Sequence, residues 1–65
     1  MRLVVNGETL ETDAKTLEDL LTEMGKATAK VATSVNETFV PKTARPTKTL
    51  DDGDRIEIVA PRQGG

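Results

Sequence analysis

At 65 residues the chain has room for one domain near the lower size limit, which buries only about 60% of the surface that its unfolded form exposes. Apolar residues make up 35% of it, Phe39 is its single aromatic and its net charge is -2, so the core must be aliphatic and nucleic acid, which calls for a basic stripe, is excluded as a partner. With no cysteine and no histidine, disulfides, thiolate metal sites, iron-sulfur clusters and the usual general base are all missing, and neither a bound metal nor a bound cofactor is expected.

From the amino terminus, Leu3, Val4 and Val5 run into Asn6-Gly7, the strongest short-range hairpin signal, because both central residues of the tight turn need positive φ. Strands are expected over 2–5 and 8–12. These first residues also lack the apolar run of a signal peptide, and no segment approaches the roughly 20 apolar residues that cross a bilayer. The expectation is a cytoplasmic chain without a membrane partner.

Thr16 is placed to cap a helix starting at Leu17, with Asp19 three residues on as the second half of a capping box. Leu17, Leu20, Leu21 and Met24 fall at i, i+3, i+4 and i+7 and form one apolar face, while Glu18, Asp19, Thr22 and Glu23 point to water. Gly25 is the natural stop, since it can take the left-handed conformation.

After a polar link over 26–30, Val31, Thr33 and Val35 alternate with Ala32 and Ser34 as a strand with one buried face does. Asn36-Glu37 turns the chain and Phe39-Val40 starts a short return strand that Pro41 ends. Either residue can face the helix or the outer side of the sheet, where an apolar side chain near the tail would help to dock partners, and Phe39 is expected in the core. The stretch 41–49 has two prolines and no periodicity and reads as a surface loop. Asp51-Asp52-Gly53-Asp54 reads as a turn rather than a cation site, and Ile56 and Ile58 alternate in a last strand.

This order, a hairpin, one amphipathic helix and then further strands, gives an α+β domain over 1–59 in which a helix lies across a mixed sheet of four or five strands, with the first and last strands central and parallel. Residues 60–65, Ala60-Pro61-Arg62-Gln63-Gly64-Gly65, are expected to project from the sheet edge as a flexible tail. Two glycines at the last two positions arise by chance in about 0.5% of chains. Glycine lacks Cβ, so Gly64 and Gly65 can thread a narrow channel, with Gln63 extending the reach, and Arg62 is placed to meet an acidic groove on a partner. A terminal Gly65 carboxylate is a poor electrophile until a partner activates it, most simply with ATP as an acyl adenylate. Sulfur transfer to that adenylate leaves a thiocarboxylate, and with no thiol in the chain, sulfur has no other place to ride. Asn36-Glu37-Thr38 matches an N-glycosylation sequon, expected to stay unused without a secretory signal.

Taken together, the opening strand with Asn6-Gly7, Thr16-Leu17-x-x-Leu20-Leu21, Val35-Asn36 with Val40-Pro41-Lys42, Asp52-Gly53-Asp54-x-Ile56-Glu57-Ile58-Val59 and the terminal Gly64-Gly65 resemble the ThiS sulfur carriers of thiamin biosynthesis, a family with the ubiquitin-like β-grasp fold. The chain departs from that pattern at Glu37, where the family often has Gly, and at Thr33, where it has an aliphatic residue. The resemblance implies that a ThiF-like adenylyltransferase uses ATP to adenylate Gly65. A cysteine-derived donor then supplies sulfur, and the thiocarboxylate passes it to a ThiG-like thiazole synthase, so the chain is a carrier and co-substrate rather than an enzyme, and a monomer when free. The alternatives are the small-subunit sulfur carrier of molybdopterin synthase, a ubiquitin-like protein modifier whose adenylate is captured by lysine, and a plain β-grasp interaction module.

Overall fold

In the computed structural model, which describes residues 1–60, the chain runs β1 (Arg2–Val5), β2 (Glu8–Glu11), α1 (Leu17–Glu23), β3 (Ala32–Val35), β4 (Thr38–Val40), a 3₁₀ helix (Lys42–Thr47) and β5 (Arg55–Val59). The two hairpins form for the reason anticipated: Asn6 and Gly7 take φ of 51° and 83°, and Asn36 and Glu37 take 50° and 71°, the left-handed pair that a two-residue turn requires. Each turn fixes the parity of the strands beside it.

The Thr16 side chain accepts a hydrogen bond from the Asp19 amide while the Asp19 carboxylate accepts from the Thr16 amide, a complete capping box, which satisfies donors that the first helical turn leaves open and stabilises it by about 1 kcal/mol. At the other end Gly25 takes φ 75°. Its amide bonds to the Thr22 carbonyl and that of Lys26 to the Leu21 carbonyl, the paired closure that a left-handed residue permits. Between these stops Leu17, Leu20 and Leu21 are fully buried, and Met24 packs half-buried against the same cluster.

The five strands form one sheet in the order β2-β1-β5-β3-β4. β1 and β5 are parallel and the other pairings are antiparallel, as expected for a first and last strand lying side by side at the centre. Leu3, Val5, Val35, Val40, Ile56 and Ile58 face α1, and Leu50 closes the cluster. Each such aliphatic side chain contributes about 1.5–3 kcal/mol on burial. The arrangement is the ubiquitin-like β-grasp, a mixed sheet with one main helix packed across it.

Three expectations change. β2 ends at Glu11, because Thr12 turns inward, where its hydroxyl donates to Glu23 and accepts from the Ala14 amide. Phe39 is 65% exposed rather than in the core: the turn sets it opposite Ser34, and Val40 opposite Thr33, so Val40 takes the buried place. The stretch read as a loop contains the 3₁₀ helix, and Arg45 within it is buried. Its Nε donates to the Thr33 hydroxyl and its Nη2 to the Val31 carbonyl, a tertiary contact that no local periodicity announces.

Candidate functional site

The expected site residues Arg62, Gln63, Gly64 and Gly65 lie outside the described residues, as does all but Ala60 of the expected tail, so the site is built from its root. That root is β5, the central strand, which delivers the chain to Ala60 between β1 on one side and β3 on the other. Asn6 N–H donates to the Ile56 carbonyl. In a parallel ladder the Ile58 amide would next donate to the Asn6 backbone carbonyl, but positive φ at Asn6 swings the chain away. The Asn6 side chain stands in: its Oδ1 accepts from the Ile58 amide at 2.8 Å and its Nδ2 donates to the Ile58 carbonyl at 3.1 Å.

The other hairpin does something similar where β5 begins. Asn36 Oδ1 accepts from the Arg55 amide at 2.9 Å and its Nδ2 donates to Asp54, while the Arg55 guanidinium meets the Glu37 carboxylate at 3.2 Å. Of the aspartates in the adjacent turn, Asp54 serves it locally by accepting from the Asp51 amide, while Asp52 reaches across to β1 and accepts from the Arg2 amide. The Asp54 bond is the local turn role expected there; the Asp52 bond is a tertiary one.

On the sheet face turned away from α1, Phe39 and Val59 stand 65% and 61% exposed. Together with Ala32, Ser34 and Glu57 they line a shallow depression of about 140 Å³, and a second of about 290 Å³ lies between Val59 and Lys30. Both are open and mostly apolar rather than enclosed as small-molecule pockets are, so this face suits a protein surface. Val59 sits opposite Ala32 in the register, which places the apolar patch beside the root of the carboxy-terminal segment. The outward Phe39 is the less favoured of the two orientations that the sequence allows, and the Asn6 clamp was not anticipated; the one signal for the clamp was Asn, a donor and acceptor, at a turn position where Gly or Asp serves equally for conformation.

Among the described residues no group of three or more acidic, His or Cys side chains is placed to hold a metal, and no helix is long and apolar enough to cross a membrane.

The sequence pattern of the ThiS family matches residues 2–65. The chain is 41% identical over 94% of its length to the sulfur carrier protein ThiS of Thermus thermophilus, covering 95% of that protein. It is 44% identical, over its full length, to a part of a thiazole synthase of Paramagnetospirillum magneticum, of which it spans 20%. The crystal structure of the thiamine biosynthesis protein ThiS from Geobacter metallireducens superposes with a TM-score of 0.85 at 29% identity, each chain covered in full. A mixed sheet with β5 at its centre, a single capped helix across it and a family match reaching residue 65 lead to one conclusion: the chain belongs to the ThiS family.

Proposed function

We propose that the chain is a sulfur carrier of thiamin biosynthesis whose Gly65 carboxylate is the cargo site, acting as a co-substrate of partner enzymes rather than as a catalyst. The observation that carries this reading is that the family match extends to residue 65, so the Gly64-Gly65 terminus belongs to the pattern shared with sulfur carriers.

In the proposed sequence a ThiF-like adenylyltransferase binds ATP, which this chain does not hold. A Gly65 carboxylate oxygen attacks the α-phosphorus, the bond to the β-phosphate oxygen breaks and pyrophosphate leaves. A hydrosulfide-level nucleophile from a cysteine-derived donor then adds to the acyl carbon and expels AMP, leaving a thiocarboxylate and a proton. No electrons are exchanged. The thiocarboxylate sulfur is anionic near neutral pH and nucleophilic for the reason that thiolates are. It adds to an electrophilic carbon of the precursor held by a ThiG-like thiazole synthase, and an oxygen nucleophile then takes the acyl carbon and breaks its bond to sulfur, which leaves sulfur on the precursor and returns the Gly65 carboxylate. A stretch similar to this chain forms part of a protein named thiazole synthase, which supports that pairing, since tethering a carrier to its acceptor raises their effective concentration.

The domain over 1–59 then serves as the handle and 60–65 as the reach. Phe39, Ala32 and Val59 give the handle an apolar face beside that reach, with Arg62 as a further contact for the partner, Gln63 extending the reach and Gly64, which lacks Cβ, slim enough for a channel.

Intact-mass measurement after incubation with ATP, a ThiF-like enzyme and a cysteine-derived sulfur source tests the reading. The expected result is a gain equal to one oxygen replaced by sulfur, abolished by deletion of Gly65 while the thermal transition hardly moves. Loading that survives the deletion overturns the proposal.

A further inference from the structure

The Asn6 clamp lies where β5, at its carboxy-terminal end, loses the β1 backbone as a neighbour. Residues of a strand direct their amide and carbonyl to alternate sides. Ile58, like Ile56, directs its polar groups toward β1, whereas Val59 lies opposite Ala32 of β3. Beyond Val5 the β1 backbone has turned away, so the Ile58 amide and carbonyl would have no partner on that side. The Asn6 carboxamide fills the gap as an extra peptide group, one acceptor and one donor 2.8 Å and 3.1 Å from their partners. It therefore holds the end of β5 from the β1 side while β3 holds it from the other.

We infer that Asn6 is a positioning residue for the carboxy-terminal segment: by clamping Ile58 it sets the point from which the chain leaves the sheet, and so the length and direction of the segment that partner enzymes receive. The inference rests on the carrier reading above. Asn36 provides an internal comparison, because it bonds the Arg55 amide at the opposite end of the same strand, far along the chain from the terminus.

Without the clamp, Ile58 and Val59 are held from β3 alone, and the end of the strand must be ordered when a partner docks. That cost is common to the bound ground state and the transition state, so it appears in KM and leaves kcat unchanged. In steady-state adenylation by a ThiF-like enzyme, read as pyrophosphate release, Asn6→Gly is expected to raise KM about tenfold, equivalent to ordering roughly one further residue, while Asn36→Gly leaves KM within about twofold. Asn6→Asp keeps the turn and the acceptor but sets a carboxylate oxygen against the Ile58 carbonyl, and is expected to raise KM as well; this variant carries the test if Asn6→Gly does not fold. Amide hydrogen exchange in the free protein reads the clamp without any enzyme: Ile58 exchange should rise in Asn6→Gly, which lacks the acceptor, relative to Val4, whose amide bonds Asp54 in the same ladder.

An unchanged KM in the Asn6 variants, an equal rise in Asn36→Gly, or Ile58 exchange in Asn6→Gly no faster relative to Val4 overturns the inference. Failure of the native protein to become adenylated by an active enzyme instead sinks the carrier reading, while the exchange result still reports on the clamp.

Discussion

Arg45 and Thr33 form a buried polar pair, the Nε of the arginine donating to the threonine hydroxyl at 3.1 Å while that hydroxyl donates to the Val40 carbonyl at 2.9 Å. The arginine is 3% exposed and the threonine 2%, and the second arginine contact, to the Val31 carbonyl, is 2.6 Å. One hydroxyl thus joins the 3₁₀ helix to the β3–β4 hairpin. The departure of Thr33 from the aliphatic family pattern is explained by the guanidinium it satisfies.

Thr33→Val keeps the shape but leaves a buried charged donor without its acceptor. A loss of about 2–3 kcal/mol is expected in denaturant unfolding, since an orphaned charged group costs its full desolvation. Adding Arg45→Met should recover part of that loss, because replacing both partners removes the unmet demand. A double variant no more stable than Thr33→Val alone would show that the pair is not coupled.

Glu37 holds φ 71° in a turn where a side chain costs about 1 kcal/mol relative to glycine. Its ion pair with Arg55 joins side chains that are 60% and 76% exposed, and exposed pairs contribute about 0–1 kcal/mol. The backbone term wins by a small margin, so Glu37→Gly should raise stability by about 0.5 kcal/mol in low salt, and by more in about 1 M salt, where the remaining ion-pair attraction is screened. Thermal melts at both ionic strengths check the sign and the salt trend.

The outward pair Phe39 and Val59 separates stability from docking. Phe39→Ala removes little buried surface and should change stability by less than about 0.5 kcal/mol. If the apolar face is the anchor for the activating enzyme, the same change should raise KM for adenylation about tenfold, the scale of a single anchoring residue at an interface. Titration of the variant against a ThiF-like enzyme checks this, and unaltered binding would remove the face from the docking surface.

Local chemistry by itself determined much of this protein. Asn6-Gly7 specified a tight turn, Thr16, Asp19 and Gly25 bounded a helix that starts at Leu17 as expected and ends at Glu23 with Met24 as its cap, and the spacing of Leu17, Leu20 and Leu21 marked its buried face, because each depends on neighbours within one turn of chain. The alternation at Ile56 and Ile58 likewise identified the last strand, and the ordered motifs pointed to the family that the match over residues 2–65 bears out. Tertiary structure decided the rest. Which of Phe39 and Val40 enters the core depended on pairing across the hairpin, Arg45 is buried because β3 offers it a hydroxyl and a carbonyl, and the amide of Asn6 finds Ile58, 52 residues away, only once the two strands lie parallel. Contacts between residues so distant leave no period in the sequence, since their partners are brought together by the fold.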